Sequence, residues 1–358
     1  MLNYILSKSF YALLTLFGVV TVIFFLFNVL PGDPAQMMLG QNEDSEQLAN
    51  VKSKYGFDKP LSTQYLYYLN DLSPISFHSK NIKDYTFFDN KKYTGKQFLN
   101  FEKSAVALKY PYLRESFTKQ GKKVSEIISE TLPNTFVLAV TAIIIAVSLG
   151  IFLGIVSALH KDTWVDKCIQ ILSTIGMSVP SFFSAILFAW LFGFVLHRYT
   201  NLEMTGSLYE LDDYGESMHI RWKNLILPAL VLGIRPLAVV IQLMRNSLLE
   251  VFNQDYIRTA RAKGLSEYNI IKNHAIKNSM NPVITAISGW FASMLAGSVF
   301  VEYIFGWNGL GKEIVNSLNT LDLPVIMGAV LIIAIIFILI NIFVDVIYAW
   351  LDPKIKLS

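Results

Sequence analysis

The sequence predicts an all-α integral membrane protein with six transmembrane helices and an enlarged extracytoplasmic segment after the first. Three observations predict it. The chain is 53% hydrophobic, 16% charged and 13% aromatic, too apolar for an ordinary soluble domain. Its apolar residues gather into charge-poor runs of bilayer length. Its short loops carry lysine and arginine mainly on one side of that arrangement.

The first span, Ser9 to Leu30, carries no charge and would be about 33 Å long at roughly 1.5 Å per residue. Its apolar core is too long for a signal peptide, and Leu30-Pro-Gly-Asp-Pro34 offers no small-x-small cleavage site, so residues 1–30 read as a retained helix. Residues 31–122 follow as the extracytoplasmic segment. Its first part, 31–72, reads as helical near the membrane, with Leu61-Ser-Thr-Gln-Tyr-Leu-Tyr-Tyr68 suited to the interface. Its second part, about 73–112, is rich in Lys, Asn, Phe and Tyr, lacks clean periodicity and reads as an insertion. Val124 to Asn134 resumes as an amphipathic helix opening a five-helix core over 123–350. The core spans are Thr135–Leu159, Cys168–Leu196, Leu225–Met244, Pro282–Val301 and Pro324 to about Tyr348, with a short tail at 351–358. Pro180 and Pro236 interrupt the third and fourth spans and predict kinks, which suit a path that opens alternately to two sides.

Loop charge sets orientation. One side holds Lys8, Lys161, Lys167, Arg258, Arg261, Lys263, Lys272, Lys277, Lys354 and Lys356. The loop from Arg198 to Asn224 holds Glu203, Glu210, Asp212, Asp213 and Glu216 against Arg198, Arg221 and Lys223. Both termini are therefore expected in the cytoplasm. The net charge of +3 then reflects topology and gives no footprint for nucleic acid.

The inner loop, 248–279, carries the strongest functional signal. Asn253 is placed to cap a helix with Asp255 in its first turn, Gly264 to end it in a left-handed turn, and Ser266 to cap the next, with Glu267 behind it. Tyr256, Ala260 and Lys263 are expected on one face. A basic segment at this position also fits a resting place on anionic lipid. The paired caps and the small residues Thr259, Ala260 and Ala262 favour docking of a soluble motor subunit, because a lipid-binding helix needs a strong apolar face.

Other chemistry is excluded or left open. Cys168 is alone, which removes an intrachain disulfide and a cysteine metal site, and His160, His197, His219 and His274 lack ligand spacing. Gly306-Trp-Asn-Gly-Leu-Gly-Lys312 mimics a phosphate-binding loop, but Glu313 stands where Ser or Thr is needed and no strand precedes it. Its glycines read as a tight outer turn. Asp345 is expected at the inner interface. Arg235, inside the fourth span, has two open readings: contact with a substrate carboxylate, or pairing with a neighbouring subunit.

Across nearly its whole length the sequence resembles the inner-membrane permease subunits of oligopeptide and dipeptide ABC transporters. The motifs that carry the resemblance are Leu30-Pro-Gly-Asp-Pro34, Glu130-Thr-Leu-Pro-Asn-Thr135, Ser178-Val-Pro-Ser-Phe-Phe183, Asp255 to Gly264, Val301-Glu-Tyr-Ile-Phe305, Gly309-Leu-Gly311, Val344-Asp345 and Leu351-Asp-Pro-Lys354. The resemblance implies the six-helix fold of binding-protein-dependent importers and a bacterial inner-membrane location. It implies a second, homologous permease, two cytoplasmic ATPase subunits, an extracytoplasmic solute-binding protein and surrounding lipid as partners. It implies no catalysis and no cofactor on this chain, with ATP and magnesium on the ATPases. The ATPase-docking set is then Asp255, Tyr256, Arg258, Thr259, Ala260, Arg261, Ala262, Lys263 and Gly264, where Arg258, Thr259 and Ala260 take the E-A-A places of the family's coupling signature. Ile276 and Lys277 replace its usual leucine-proline. Arg235 and Pro180 are the expected pathway residues, and the small residues Gly150, Gly154, Ser157 and Ala158 suit close packing, within the chain or against the second permease. The implied substrate is a short peptide, with nickel or another solute as the alternative. An ion-coupled secondary transporter would need membrane-embedded carboxylates, which the first three spans lack. A membrane-anchored sensor would not need six spans.

Overall fold

The structure, a computed structural model, describes residues 2–29, 35–36, 45–82, 84–211 and 217–351. The Leu30–Pro34 motif, Asp212, Asp213, Glu216, the tail lysines and the Asp345 side chain lie outside the described residues. Helices dominate: α1 (Leu2–Val29), α2 (Ser45–Tyr55), α3 (Leu61–Leu72), α4 (Val124–Leu159), α5 (Trp164–Ser178), α6 (Ser181–Phe188), α7 (His197–Thr200), α8 (Lys223–Phe252), α9 (Asp255–Ala262), α10 (Glu267–Ile270), α11 (Ile276–Gly297), α12 (Val299–Phe305), α13 (Leu310–Asn319) and α14 (Leu323–Leu351). Short π-helical turns at Ala189–Val195 and Ile271–Ala275 extend α6 and join α10 to α11.

Four unbroken helical segments are long and apolar enough to cross a membrane: Ser7–Phe27, Val124–Leu159, Lys223–Phe252 and Leu323–Val344. Large apolar side chains such as Phe10, Leu13, Leu14 and Phe17 stand exposed on α1, as a lipid-facing surface requires. Two further apolar stretches are bent. The expected third span is broken by 109° between α5 and α6, and the expected fifth turns by 52° between α11 and α12. Pro180 explains the first break. It has no N–H to donate, it holds Val179 extended, and it sits at the start of α6. Pro236 does not break its helix: α8 runs on through Pro228 and Pro236.

The chain divides into two compact units, Met1–Lys8 with Thr131–Val315 and Ile335–Ser358, and Ser9–Glu130 with Asn316–Ala334. The second corrects the all-α expectation. The segment read as an aperiodic insertion holds an antiparallel sheet in the order β1-β3-β2, from Ile75–Ser79, Gly95–Asn100 and Ser104–Lys109. A two-stranded ribbon, β4 (Tyr209–Leu211) with β5 (Met218–Ile220), adds strand content to the first unit. The strands were illegible for a physical reason. β1 buries Ser76 and His78 and exposes Ile75 and Phe77, the reverse of the usual alternation. β2 is exposed throughout, and a register irregularity between Gln97 and Leu99 interrupts its pairing with β3.

The strands pair through their backbones, and one buried carboxylate gathers the segments that flank them. Asp71, the penultimate residue of α3, is fully buried. Its oxygens accept from the Tyr85 hydroxyl at 2.6 Å, the Tyr93 hydroxyl at 2.9 Å and Arg114 Nε at 3.0 Å. Lys109 Nζ donates to the Asp71 carbonyl, tying β3 to the end of α3. A second buried carboxylate, Asp322, accepts from the Ser116 hydroxyl, the Phe117 amide at 3.0 Å and the Thr118 hydroxyl at 2.8 Å. Asp71→Ala leaves the Arg114 charge and two tyrosine hydroxyls without their acceptor, at a cost of about 3–5 kcal/mol. Hydrogen exchange of the full-length protein should show lost protection over 104–109, while 240–248 in α8 keeps its own.

Candidate coupling site and membrane path

The site is built on α8. Helices α4 and α5 reach it through glycines. A Cβ at Gly150 would lie 2.7 Å from Val240 Cγ1, one at Gly154 2.7 Å from Met244 Cβ, and one at Gly176 2.9 Å from Ile234 Cγ2. The reverse also occurs, since Gly233 on α8 faces the Ala142 carbonyl of α4. The small-residue face of the second span therefore packs inside this chain, and Ala158 joins the same buried cluster as Val240, Met244 and Leu248. Ser157 belongs to a polar clamp at the same end. Its hydroxyl donates to Asp166, and the Asp162 amide donates to the same carboxylate at 3.0 Å. Arg245 on α8 completes the clamp as a bidentate partner, with Nε at 2.7 Å and Nη2 at 2.6 Å.

Below Arg245, α8 ends at Phe252 and α9 begins at Asp255. Asn253 does not cap α9. It closes α8, donating from Nδ2 to the Leu249 carbonyl at 3.0 Å, and Gln254 takes the position ahead of α9 without a side-chain cap. Gly264 does adopt the left-handed conformation, with φ +77°. Ser266 accepts from the Asn269 amide at 3.4 Å as the next cap. Across the turn, Arg261 Nε meets Glu267 Oε1 at 2.9 Å.

Residue by residue, α9 has two faces. Ile257 and Ala260 are buried and join the Met244, Leu248, Val251, Ile270, Ala275 and Val283 cluster. Asp255, Arg258, Thr259, Arg261, Ala262, Lys263 and Gly264 are exposed. The expected face of Tyr256, Ala260 and Lys263 is not formed: Tyr256 is 42% exposed and accepts at its hydroxyl from Asn278 of α11, while Ala260 points inward. Side-chain direction explains the difference, because Ile257 supplies the apolar contact and rotates Tyr256 off the buried stripe. The exposed Asp255–Arg258 pair, 3.4 Å apart, adds little stability.

At the other end of the same unit, three motifs meet in one polar knot. Glu302 of α12 is fully buried and accepts from the Ser298 hydroxyl at 2.8 Å, the Gly311 amide at 2.7 Å and the Lys312 amide at 3.2 Å. Thr135 Oγ1 accepts from the Leu310 amide at 2.8 Å, and Trp307 Nε1 donates to the Asn134 carbonyl at 3.0 Å. Asn134 Nδ2 returns a bond to the Asn308 carbonyl at 2.7 Å. The glycine-rich loop over 306–312 is thus a turn whose amides are shared among Glu302, Thr135 and Ser207, and Gly306 is left-handed at φ +69°. Cβ atoms at Gly309 and Gly311 would collide with the Glu302 carboxylate.

Of the two pathway candidates, Arg235 lines a cavity, and Pro180 is represented there by its neighbours Val179 and Ser181. This cavity of about 120 Å³ is lined by Val179, Ser181 and Ser184 beside Pro180, by Arg235 of α8, and by Trp290 and Ser293 of α11. Arg235 is exposed and makes no ion pair among the described residues. Sequence reasoning passed over Asp166, Arg245 and Glu302. Asp166 and Arg245 stand 79 residues apart, and Glu302 is paired by Ser298 and by amides of the loop that turns back over it, so neither pairing has a spacing signature. The signal available was a lone charge beside an apolar run.

Arg245→Ala leaves Asp166 buried without its countercharge and should destabilise the purified protein by about 3–5 kcal/mol. The double variant Asp166→Asn with Arg245→Gln should recover part of that loss, read as a rise in thermal midpoint over the single variant. Independent, additive effects of the two substitutions would deny the clamp.

Two family profiles match the chain: "Binding-protein-dependent transport system inner membrane component" over residues 150–357, and the N-terminal membrane-component profile of the same systems over residues 1–78. The dipeptide transport system permease protein DppB of Alkalihalophilus pseudofirmus is 31% identical, covering 99% of this chain and 100% of the relative. DppB of Bacillus subtilis is 32% identical, covering 100% and 99%. Among solved structures, a chain of the MetNI methionine ABC transporter in an inward-facing conformation matches with a TM-score of 0.51 at 14% identity, covering 63% of this chain and 97% of that one, a likeness of fold. With the profile match spanning more than half its length and full-length relatives above 30% identity, the chain belongs to the family of binding-protein-dependent transport system inner membrane components.

Proposed function

We propose that this chain is one half of the membrane conduit of an ATP-driven importer of short peptides, coupled to its motor through α9. The observation that carries the reading is the two-faced inner helix. One face is fused to α8 through Ile257 and Ala260, and the other offers Arg258, Thr259, Arg261 and Lys263 to a partner. The peptide substrate rests on full-length similarity to dipeptide permeases. Six spans follow if each bent pair is one span, and the bias of loop lysines and arginines supports a topology with both termini in the cytoplasm. The conduit needs a second, homologous permease, two ATPase subunits that hold ATP and magnesium, and a solute-binding protein on the outer face.

In this mechanism ATPase closure moves α9. Burial of Ile257 and Ala260 makes α9 and the end of α8 move together, and the Arg245–Asp166 clamp carries that motion to α5. The break at Pro180 lets α5 and α6 turn separately beside Arg235, which receives the peptide carboxylate.

The test is Gly264→Val. Nothing lies within 4 Å of the added Cβ, so the cost is conformational, about 1 kcal/mol or more in the turn itself. Expected are normal membrane insertion, reduced co-purification of the ATPase subunits and reduced uptake of a labelled dipeptide. Normal assembly and uptake would remove α9 as the docking element.

A further inference from the structure

The second unit contains a cavity that coupling does not use. It has a volume of about 420 Å³, within the roughly 300–1,000 Å³ typical of small-molecule sites. Tyr55, Phe57, Tyr85, Phe87, Tyr112 and Phe117 supply its aromatic walls. Three cations line it: Lys91 stands exposed at its edge, while Lys92 and Arg114 are partly buried and differ from each other. Arg114 is already neutralised, with Nε 3.0 Å from the buried Asp71 carboxylate. Lys92 has no carboxylate partner among the described residues: its ammonium lies 3.5 Å from the Tyr85 ring centroid and 5.5 Å from that of Tyr112, and donates to the Tyr85 carbonyl at 3.0 Å. An ammonium has three donors, so two remain for a ligand.

Acidic groups line the same cavity, and two of them stand exposed. Asp84 and Asp89 are exposed and hold local turns through Ser79 and the Lys91 amide, and Glu115 is partly buried. The arrangement is therefore dipolar, a half-buried cation among aromatic rings with carboxylates beside it. A simple anion would meet those carboxylates unfavourably, and a simple cation would meet Lys92. A zwitterion with an apolar body satisfies both.

We propose that this cavity binds a free short peptide, its α-carboxylate on Lys92, its side chains on the aromatic walls and its amine toward Glu115. The choice of a peptide among zwitterions rests on the transport reading given above. The Lys92 amine supports the assignment. Burial first, and then the Arg114 and Lys109 charges, hold it down at about 8 against opposing help from Asp71 and Glu115. A carboxylate arriving beside it favours the charged form, so binding near pH 8.5 takes up a proton.

The experiment uses the full-length permease assembled with its ATPase partners in nanodiscs, without binding protein, and titrates Ala-Phe, Ala-Phe amide and N-acetyl-Ala-Phe calorimetrically at pH 8.5 in two buffers of different ionisation enthalpy. Expected are binding of Ala-Phe, at least tenfold weaker binding of the amide, proton uptake on binding of N-acetyl-Ala-Phe, which has no amine to titrate, and at least tenfold loss of both acids with Lys92→Gln together with loss of that uptake. Glu115→Gln should weaken Ala-Phe and leave N-acetyl-Ala-Phe unchanged, which guards against a Lys92 variant that merely loosens the sheet. Absence of Ala-Phe binding, or equal binding of the amide and by both variants, overturns the proposal. Uptake of labelled dipeptide by the whole transporter is measured separately. Carboxylate-dependent binding without import refutes the transport reading and leaves the cavity, whereas import without such binding refutes the cavity alone.

Discussion

Close approach to α8 is the constraint on which the first unit depends. Four glycines, at 150, 154, 176 and 233, each remove a side chain from a contact that has no room for one. In lipid, apolar side chains gain little by leaving the solvent, so helices associate through tight van der Waals contact and through polar groups that have no water to return to. The glycine contacts supply the first term and the Asp166–Arg245 clamp the second. Because α8 continues past one exposed turn into α9, whatever holds α8 also determines where α9 is presented.

The polar knot at Glu302 plays a matching part elsewhere in that unit. Irregular backbone in such a protein must have its amides and carbonyls paired within the fold. The loop over 306–312 meets that requirement with Glu302, Thr135 and Asn134 as partners, and Trp307 fills the space between them. Two neighbouring motifs, Val301–Phe305 and Gly309–Gly311, and the remote Asn134–Thr135 pair form one structure in space.

Much of this was legible beforehand. Apolar runs located α1, α4, α8 and α14, because bilayer length is a one-dimensional property. Gly264 and Ser266 were legible because backbone conformation and capping are local. The break at Pro180 was read as a kink within a span, and Pro236 as its equivalent; surrounding helices hold α8 continuous, which local propensity does not report. The sheet was missed because β1 turns Ser76 and His78 inward, toward partners that include the Thr86 carbonyl and Tyr93, so its buried face reads as polar. Asp71 and Asp166 were missed because their charged partners, Arg114 and Arg245, lie many residues away, and Glu302 because its pairing depends on how the following loop turns back over it.

The central claim is that the exposed face of α9 meets the motor. Site-specific cross-linking tests it most directly. With the exposed Cys168 replaced by serine, Arg258→Cys in the assembled transporter should form a short bismaleimide cross-link to an ATPase subunit. Lys96→Cys, on the exposed β2 strand, should not. A cross-link to the ATPase from Lys96→Cys with none from Arg258→Cys would contradict the account.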